Sequence, residues 1–274
     1  MMWHRVQCSP SDSALTQALA SAMFAAGAEG VHEDGARLVT HLPAEHDVAG
    51  FAAALRAVDG AVAVETTVLE DVDWSEKWRE RITAHALGAL TVAPPWLTAG
   101  LDPATTVVIE PQMAFGTGEH PTTRGVVRLM QAVVGPGDAV ADLGAGSAVL
   151  AIAAAKLGAA CAFAIENDHD SIANAEENVA RNGVADRVAV LEGDAFVLLP
   201  LVAPVRIILA NIISSVLLEL LPSLPAALAP DGVVILSGIL REEREGMLVA
   251  LAAAGWRVDA EDAEEQWWSV RVRR

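Results

Sequence analysis

The chain has 274 residues, the length of one large or two modest domains. With 53% hydrophobic and 20% charged residues, it is too apolar to be disordered and is predicted to be globular. A formal net charge of -18 opposes direct nucleic-acid binding, because an acidic surface repels phosphate backbones. The charge favours a cationic partner, although acidity that only keeps the protein soluble explains it equally well.

The cysteines and the apolar stretches exclude further classes of protein. Cys8 and Cys161 lie far apart without a CxxC motif, which excludes a disulfide scaffold and a cysteine zinc site. The N-terminus lacks the apolar run of a signal peptide. The stretch from Ile207 to Leu218 is far shorter than the roughly 20 residues of a membrane helix, so it is predicted to be core. We therefore expect a cytoplasmic protein with neither a membrane nor a metal among its partners.

Residues 1–70 are predicted to form a small domain of their own. Short strand-like runs alternate with helical ones in the order β-α-β-β-α-β. This order predicts a ferredoxin-like α+β domain with a four-stranded antiparallel sheet, a fold that says little about function. The predicted segments are Trp3–Gln7, Asp12–Ala26, Gly30–Leu42, Asp47–Val58 and Ala61–Leu69.

Residues 71–105 are predicted to be a connector with a short helix. In the segment Asp71–Thr83, the side chains of Trp74, Trp78 and Ile82 fall on one helical face at i, i+4 and i+8. Packing of that face on a neighbouring domain is favoured over ligand stacking by either tryptophan.

Residues 106–274 show strong strands alternating with amphipathic helices. Such alternation requires crossover connections, so it predicts an α/β domain with a mostly parallel, seven-stranded Rossmann-like sheet. The last two strands are joined without a helix and are predicted to form an antiparallel edge. The predicted strands are Ala139–Leu143, Cys161–Ile165, Val188–Leu191, Arg206–Ala210, Val233–Leu236, Arg257–Val258 and Gln266–Val272.

The sharpest local motif is a glycine turn that follows the first of these strands. Gly144 and Gly146 let the backbone approach a ligand closely, and the next helix offers free N–H groups. A nicotinamide fingerprint needs a third glycine where Val149 stands, and Asp142 would repel a pyrophosphate. The turn therefore favours a cationic ligand, although a tight turn without a ligand can use the same glycines.

Acidic residues follow the next two strands. Glu166 ends the second strand 22 residues after Gly144, a distance at which a carboxylate can accept both ribose hydroxyls. Asp194 follows the third strand and can accept a hydrogen bond from an adenine amino group. Capping of the following helix is the alternative role of such an acid and suits Asp168 or Asp170 better. Together with the glycine turn, these acids outline an adenosine without phosphates, the S-adenosylmethionine pattern of Rossmann-like methyltransferases.

The segment from Glu110 to Thr123, which contains Ala-Phe-Gly-Thr-Gly followed by His120 and Thr122-Thr123, resembles the signature loop of the ribosomal protein L11 methyltransferases. The resemblance continues through the glycine turn, Leu209-Ala210-Asn211-Ile212 and Glu265-Gln266-Trp267, and covers the chain from about Trp74 to the end. It implies S-adenosylmethionine as cofactor and methyl transfer to amino groups of the large-subunit ribosomal protein L11, free or ribosome-bound. The cofactor contacts that the resemblance implies are Thr123, Gly144, Glu166 and Asn211. The other predicted cofactor-binding residues are Phe115, Thr117, Asp142, Gly146 and Asp194.

The sequence departs from the family pattern at several positions. Glu166 stands where the family usually has Asp, and Glu110-Pro111-Gln112 replaces the usual Asp-Pro-Gly. The segment Asn211-Ile212-Ile213-Ser214 replaces Asn-Ile-Leu-Ala. These departures bear more on the substrate than on the cofactor, and no catalytic base is assigned.

Three alternative functions remain at this point. Methylation of a planar amide or nucleobase nitrogen is disfavoured, because the usual Asn-Pro-Pro-aromatic segment is absent after Ala210. A related enzyme acting on another basic protein is the second alternative. A catalytically silent binding module that keeps the cofactor fold is the third, and a turnover assay separates it from an enzyme.

Overall fold

The computed structural model describes residues 3–28, 30–35, 37–69, 82–112 and 115–274. The chain divides into two compact units, Met1–Arg81 and Ile82–Arg274. Most of the helix predicted for Asp71–Thr83, with Trp74 and Trp78, lies outside the described residues.

The described residues of the first unit form a four-stranded antiparallel sheet with two α-helices. Its strand order is β2-β3-β1-β4, which confirms the predicted ferredoxin-like arrangement. One apolar core joins the sheet to the helices, with Val6 and Leu38 from the strands meeting Met23 and Phe51 from the helices. The elements are β1 (Trp3–Ser9), α1 (Thr16–Ala25), β2 (His32–Asp34), β3 (Arg37–Pro43), α2 (Val48–Val58) and β4 (Ala63–Leu69).

The second unit begins with a small sheet that the sequence did not predict. Its strands β5 (His85–Leu87), β6 (Leu90–Ala93) and β7 (Thr106–Val108) form a three-stranded sheet in that order. Strands β5 and β6 are antiparallel, and β6 and β7 are parallel. The first two strands fall in the segment that the sequence analysis treated as a connector.

A seven-stranded sheet with the order β10-β9-β8-β11-β12-β14-β13 dominates the second unit. Strands β8 to β12 run parallel, and β14 lies antiparallel between β12 and β13, which confirms the predicted sheet and its antiparallel edge. The strands are β8 (Ala139–Leu143), β9 (Cys161–Glu166), β10 (Val188–Glu192), β11 (Val205–Asn211), β12 (Leu228–Leu240), β13 (Arg257–Glu264) and β14 (Trp267–Arg273).

Helices cover both faces of this sheet. One apolar core packs α3 and α4 against one face, with Val126 and Ile152 at its centre. The other packs α7 and α9 against the opposite face, with Leu217 and Leu251 around Trp268. The helices are α3 (Pro121–Met130), α4 (Val149–Lys156), α5 (His169–Arg181), α6 (Ala195–Val202), α7 (Ser214–Leu220), α8 (Leu224–Ala227) and α9 (Arg244–Ala253).

The central strand β11 is buried on both sides, as the continuous apolar run predicted. Its residues from Ile207 to Ala210 are fully buried, because helices lie above and below them. Further along the same run, Ile213 and Leu218 are exposed to solvent. Within the described ranges, no helix is long and apolar enough to cross a membrane.

Strand β13 extends to Glu264, well beyond the predicted Arg257–Val258. The prediction ended early because acidic residues interrupt the apolar pattern after Val258. In the structure, arginines pair with these acids. Oδ2 of Asp259 lies 2.7 Å from Nε of Arg271 and 3.1 Å from Nε of Arg273. Charge pairing thus supports an edge strand that hydrophobic periodicity does not indicate.

Candidate active site

In the main sheet, the chain adds strands β9 and β10 on one side of β8 and strands β11 and β12 on the other. The connections from the carboxyl ends of β8 and β11 therefore run in opposite directions, and a crevice opens between them. A cavity of about 590 Å³ lies at this point. Four of the predicted site residues line it, namely Phe115, Gly144, Asp194 and Asn211. The cavity is large enough for a nucleoside-sized ligand together with a side chain of a second substrate.

The glycine turn lies beside this cavity, and Gly144 lines it. Gly144 and Gly146 have φ angles of 68° and 52°, in the left-handed region that favours glycine. A Cβ atom on Gly146 would lie 2.5 Å from the carbonyl oxygen of Phe115. The turn is therefore built for close backbone contact, and at Gly146 that contact is with the signature loop.

Two hydrogen bonds join the signature loop to the glycine turn. The backbone N–H of Ser147 donates to the carbonyl of Phe115 at 2.9 Å, and the Ser147 hydroxyl donates to the carbonyl of Gly116 at 2.7 Å. Ser147 is almost completely buried. The loop and the turn, which are separated by about thirty residues in sequence, thus form one structural unit beside the cavity.

Glu166 uses both carboxylate oxygens to organise the backbone around the turn. Oε2 accepts from the N–H of Gly146 at 2.8 Å, and Oε1 accepts from the N–H of Asp168 at 2.9 Å. The residue is buried, with 8% of its surface exposed, and does not line the cavity. Each oxygen keeps a further lone pair for a hydroxyl donor.

Asp142 is fully buried at the end of β8 and also does not line the cavity. Its Oδ2 accepts from the N–H of Ala151 at 3.1 Å, while Oδ1 is buried without a partner. Burial, assisted by the negative charge of Glu166, raises the pKa of Asp142 to about 7. The carboxyl therefore anchors the first turn of α4, the helix that follows the glycine turn.

The amide of Asn211 at the end of β11 faces the cavity. Its Nδ2 donates to Oγ1 of Thr123 at 3.4 Å, and its Oδ1 is buried without a partner. Thr123 itself is fully buried in α3 and does not line the cavity. The unpartnered carbonyl oxygen is an acceptor that an incoming N–H group can satisfy.

The two remaining predicted residues lie at the edges of the site. Asp194 is exposed, lines the cavity and caps α6 by accepting from the N–H of Phe196 at 2.8 Å. Thr117 accepts from the N–H of Glu119 at 3.4 Å and does not line the cavity.

His120 is the N-cap of helix α3, an element that the sequence analysis did not predict. Its Nδ1 accepts from the N–H of Thr122 at 3.3 Å and contacts the Thr122 hydroxyl at 2.7 Å. Burial, with a contribution from the charge of Arg124, lowers the pKa of His120. The ring is therefore neutral near pH 7, with its proton on Nε2, and the structure gives it a capping role.

An apolar wall completes the cavity and was not predicted. The sequence placed these residues in the core or gave them no role, because apolar side chains in helices usually pack inward. Ile165 near the end of β9, Ile212 and Ile213 directly after β11, and Ala195 and Phe196 directly after the cap Asp194 occupy positions that could have identified them. The wall consists of Ile165, Ala195, Phe196, Ile212, Ile213, Val216, Leu220 and Trp267.

The charges around the cavity suit a cationic ligand. Asp194 and Glu219 line it, and none of its described lining residues is a lysine or an arginine. Together with the unpartnered Oδ1 of Asn211, these groups match a sulfonium with an ammonium group, whereas a pyrophosphate would meet no positive side chain. Among the described residues, no cluster of three or more His, Cys, Asp or Glu could hold a metal ion.

The sheet order, the glycine turn after β8, the acid after β9 and the crevice between β8 and β11 define a Rossmann-like methyltransferase fold. The sequence model of the family described as ribosomal protein L11 methyltransferase (PrmA) matches residues 7–274. The chain belongs to this family, which confirms the resemblance carried by the signature loop.

Individual relatives agree with this assignment. The ribosomal protein L11 methyltransferase of Chloroflexus aurantiacus is 37% identical over 235 residues, or 77% of this chain and 72% of the relative. That of Thermus thermophilus is 40% identical over 198 residues, or 72% of this chain and 76% of the relative. A crystal structure of ribosomal protein L11 methylase from Lactobacillus delbrueckii subsp. bulgaricus is 33% identical with a TM-score of 0.62, and the match covers 70% of this chain and 99% of that one.

Proposed function

We propose that this protein transfers methyl groups from S-adenosylmethionine to amino groups of ribosomal protein L11, on lysine side chains, the N-terminal amine or both. The observation that carries the proposal is the buried, unpartnered Oδ1 of Asn211, a residue that lines an acidic and apolar cavity at the switch point of the sheet. Ribosomal protein L11 is the substrate named for the relatives. With such a substrate, the reaction is expected to take place in the cytoplasm.

The residues present fit the proposed cofactor. Gly144 supplies close backbone approach, Glu166 keeps lone pairs for ribose hydroxyls, and Asp194 can accept from an adenine amino group. Asn211 offers a carbonyl oxygen to an ammonium group. Phe115, Thr117, Thr123, Asp142 and Gly146 complete the predicted contacts. Of the two buried side chains among them, Thr123 orients Asn211 and Asp142 holds the helix that follows the turn.

The reaction requires positioning more than acid–base catalysis. When bound, S-adenosylmethionine supplies a methyl group that its sulfonium has already activated. The protein's part is to align the amine lone pair with that carbon and to exclude water. Phe196, Ile213 and Trp267 supply apolar surface for this at the cavity wall.

The target amine must reach the site in its neutral form. Deprotonating a lysine amine of pKa about 10.4 at pH 7 costs about 4 to 5 kcal/mol, whereas an α-amine of pKa about 8 costs about 1 to 1.5 kcal/mol. A desolvating cavity and a neighbouring positive charge both lower an amine's pKa and recover part of this cost. The neutral His120 is not required as a base, because its Nδ1 is occupied by Thr122.

The net charge of -18 favours recognition of a basic protein. An acidic surface attracts such a partner over long range and raises its association rate, and salt weakens the effect. Methylation of L11 is expected on the free protein or on the ribosome.

Intact-mass spectrometry of ribosomal protein L11 tests this proposal. L11 is incubated with S-adenosylmethionine and the wild-type protein, Glu166→Ala, or the matched control Glu176→Ala on the exposed side of α5. We expect mass gains in steps of one methyl group with the wild type and the control, and a loss of at least tenfold in rate with Glu166→Ala. Calorimetry with S-adenosylhomocysteine measures cofactor affinity separately.

The outcomes separate the alternatives. No mass gain despite measurable cofactor binding would point to another basic protein or to a silent binding module. Absence of any cofactor binding by the folded protein would overturn the proposed cofactor and the proposed reaction together.

A further inference from the structure

Three asparagines lie about one helical turn apart along α5, and we call Asn174, Asn178 and Asn182 the asparagine row. The first two are inside the helix, and Asn182 is its C-cap residue. Asn174 and Asn178 are buried, with 2% and 0% of their surface exposed. A spacing of four residues places all three on one face of the helix. Buried amides cost stability unless their hydrogen bonds are made, so this row needs partners inside the protein.

The asparagine row pairs with the backbone that leads from β7 into the signature loop. Nδ2 of Asn182 donates to the carbonyl of Val108 at 2.6 Å, and its Oδ1 accepts from the N–H of the same residue at 2.8 Å. Two residues further, the N–H of Glu110 donates to Oδ1 of Asn178 at 2.9 Å. The carbonyl of Glu110 accepts from Nδ2 of Asn174 at 3.3 Å. Side-chain amides thus satisfy four backbone groups of this segment.

The asparagine row takes the place of a neighbouring strand. On the other edge of the segment, the N–H of Ile109 donates to the carbonyl of Ala93 in β6 at 3.0 Å. Four residues of an α-helix rise about 6.0 Å, and two residues of a strand span about 6.6 Å. Asparagines at every fourth position of a helix therefore match alternate residues of an extended segment. The backbone groups of Val108 and Glu110 point to α5, whereas the N–H of Ile109 points to β6.

Two side chains of the segment add to its attachment. Oε2 of Glu110 lies 3.5 Å from Nη2 of Arg181. Nε2 of Gln112 donates to Oε2 of Glu177 at 3.2 Å. Arg181 and Glu177 both belong to α5. The entry to the signature loop is therefore attached to this one helix from Val108 to Gln112.

Asn178 also reaches the glycine turn. Its Nδ2 donates to the carbonyl of Ser147 at 3.3 Å and to Oδ1 of Asn174 at 3.4 Å. Ser147 is the residue whose N–H and hydroxyl donate to the carbonyls of Phe115 and Gly116 in the signature loop. One buried amide thus fixes the beginning of the signature loop and the end of the glycine turn relative to each other.

We propose that Asn178 is a positioning residue for the cofactor, because it holds the entry to the signature loop against the glycine turn. Phe115 of the loop and Gly144 of the turn both line the cavity, so a shift of one against the other changes the shape of the site. Asn178 is not among the described lining residues and therefore acts through these two segments. The inference rests on the proposed function, since it concerns the cofactor that this function requires.

The test compares Asn178→Ala with the matched control Asn182→Ala. The described hydrogen bonds of the Asn182 side chain go to Val108 and to the carbonyl of Asn178, so its removal weakens the row without a direct effect on the glycine turn. In calorimetry, Asn178→Ala should weaken S-adenosylhomocysteine binding about tenfold, and Asn182→Ala should change it less than about twofold. Urea unfolding measures the loss of stability in both variants, which is expected for each.

Steady-state kinetics with ribosomal protein L11 separates positioning of the cofactor from the transfer step. Asn178→Ala should raise KM for S-adenosylmethionine about tenfold and lower kcat less than about threefold, because it changes the site that receives the cofactor and removes no group from it. A general loss of stability would reduce the amount of active protein and leave KM unchanged.

Amide hydrogen exchange of the protein without cofactor supplies an independent readout. Asn178→Ala should speed exchange of the Glu110 and Ser147 amides about tenfold, because it removes the acceptor of the first and loosens the segment that holds the second. Asn182→Ala should instead speed exchange of the Val108 amide. Asn178→Ser is the second variant, because a buried hydroxyl can donate to a carbonyl of its own helix. It is used in the same way if Asn178→Ala does not fold.

The failures of the two proposals are distinguishable. If the wild type binds S-adenosylhomocysteine but Asn178→Ala and Asn182→Ala affect its affinity equally, or not at all, the asparagine row only supports the fold and the inference is overturned. Unchanged exchange of the Ser147 amide in Asn178→Ala would overturn it as well. If the wild type binds no S-adenosylhomocysteine, the proposed function fails, and this inference fails with it.

Discussion

Asn211 at the end of β11 is joined to Thr123 of α3 by a side-chain hydrogen bond. The Asn211 amide donates to the Thr123 hydroxyl at 3.4 Å, which fixes the amide's orientation and leaves its carbonyl oxygen buried and unpartnered. An unsatisfied buried acceptor costs stability, so its retention at a cavity suggests use by a ligand. Thr123 acts here by orienting Asn211.

Replacement of this amide is expected to impair methyl transfer strongly. Asn211→Ala removes the acceptor and should lower kcat/KM by about 100-fold, the size of effect seen when one aligned polar group leaves an active site. Thr123→Val keeps the volume but frees the amide to rotate, so a decrease of about tenfold is expected. Steady-state kinetics with L11 provides the measurement. Equal and small effects of both substitutions would contradict a role for the oriented carbonyl.

Close packing at Gly146 is expected to make it less tolerant than other left-handed glycines. Gly146→Ala places a Cβ 2.5 Å from the Phe115 carbonyl, whereas Gly183, with a φ angle of 65°, has nothing within 4 Å of such an atom. Gly183→Ala should cost about 1 kcal/mol for the backbone conformation alone. Gly146→Ala should cost about 3 kcal/mol, because the signature loop must also move. Urea unfolding measures both, and equal costs would contradict the contact.

The buried Asp142 is expected to give stability a distinctive pH dependence. Its pKa is raised to about 7 in the folded protein, so between pH 4 and 7 the folded chain holds a proton that the unfolded chain has released. The free energy of unfolding then falls as pH rises through this range. Asp142→Asn removes this term, so its stability relative to the wild type should increase from pH 4 to 8. Unfolding curves across this range test it, and a constant difference would contradict the raised pKa.

His120 is expected to matter for stability in acid more than for the methyl-transfer step. Because its pKa is lowered on folding, the unfolded chain binds a proton more readily, and stability is lost as pH falls through 6.5 and below. His120→Asn keeps a capping side chain and should reduce this acid sensitivity. The pH profile of kcat/KM should keep its shape, measured with L11 between pH 6 and 9. Disappearance of an ionisation from that profile would show that His120 exchanges a proton during turnover.

Hydrophobic patterning predicted the elements whose stability comes from burial. The central strand β11 and the helices over β8 and β9 follow directly from apolar periodicity. Helix α3 and the part of β13 after Val258 were not predicted, because arginines on α3 pair with acids on β13. Arg128 contacts Asp262 at 2.5 Å and Glu264 at 2.7 Å. Such pairs join residues more than 130 positions apart, so no local pattern indicates them.

The site residues that could be predicted are those whose residue type, at or just after the end of a parallel strand, indicates a ligand contact. Gly144, Asp194 and Asn211 all line the cavity, because they follow parallel strands that end at the same edge. Glu166 is the last residue of β9 and Asp142 lies near the end of β8, but the structure turns their carboxylates toward backbone N–H groups. Trp267 was missed as a lining residue because its position depends on the register of a terminal strand against β12.

The place of β14 in the sheet has a consequence for biosynthesis. This strand is the last element of the chain, yet it lies between β12 and β13 and brings Trp267 to the cavity. Domains fold as units once their sequence is available, and translation proceeds from the N-terminus. The cavity therefore gains its last wall only when β14 has been synthesised and has paired with β12, so binding competence arises late in folding.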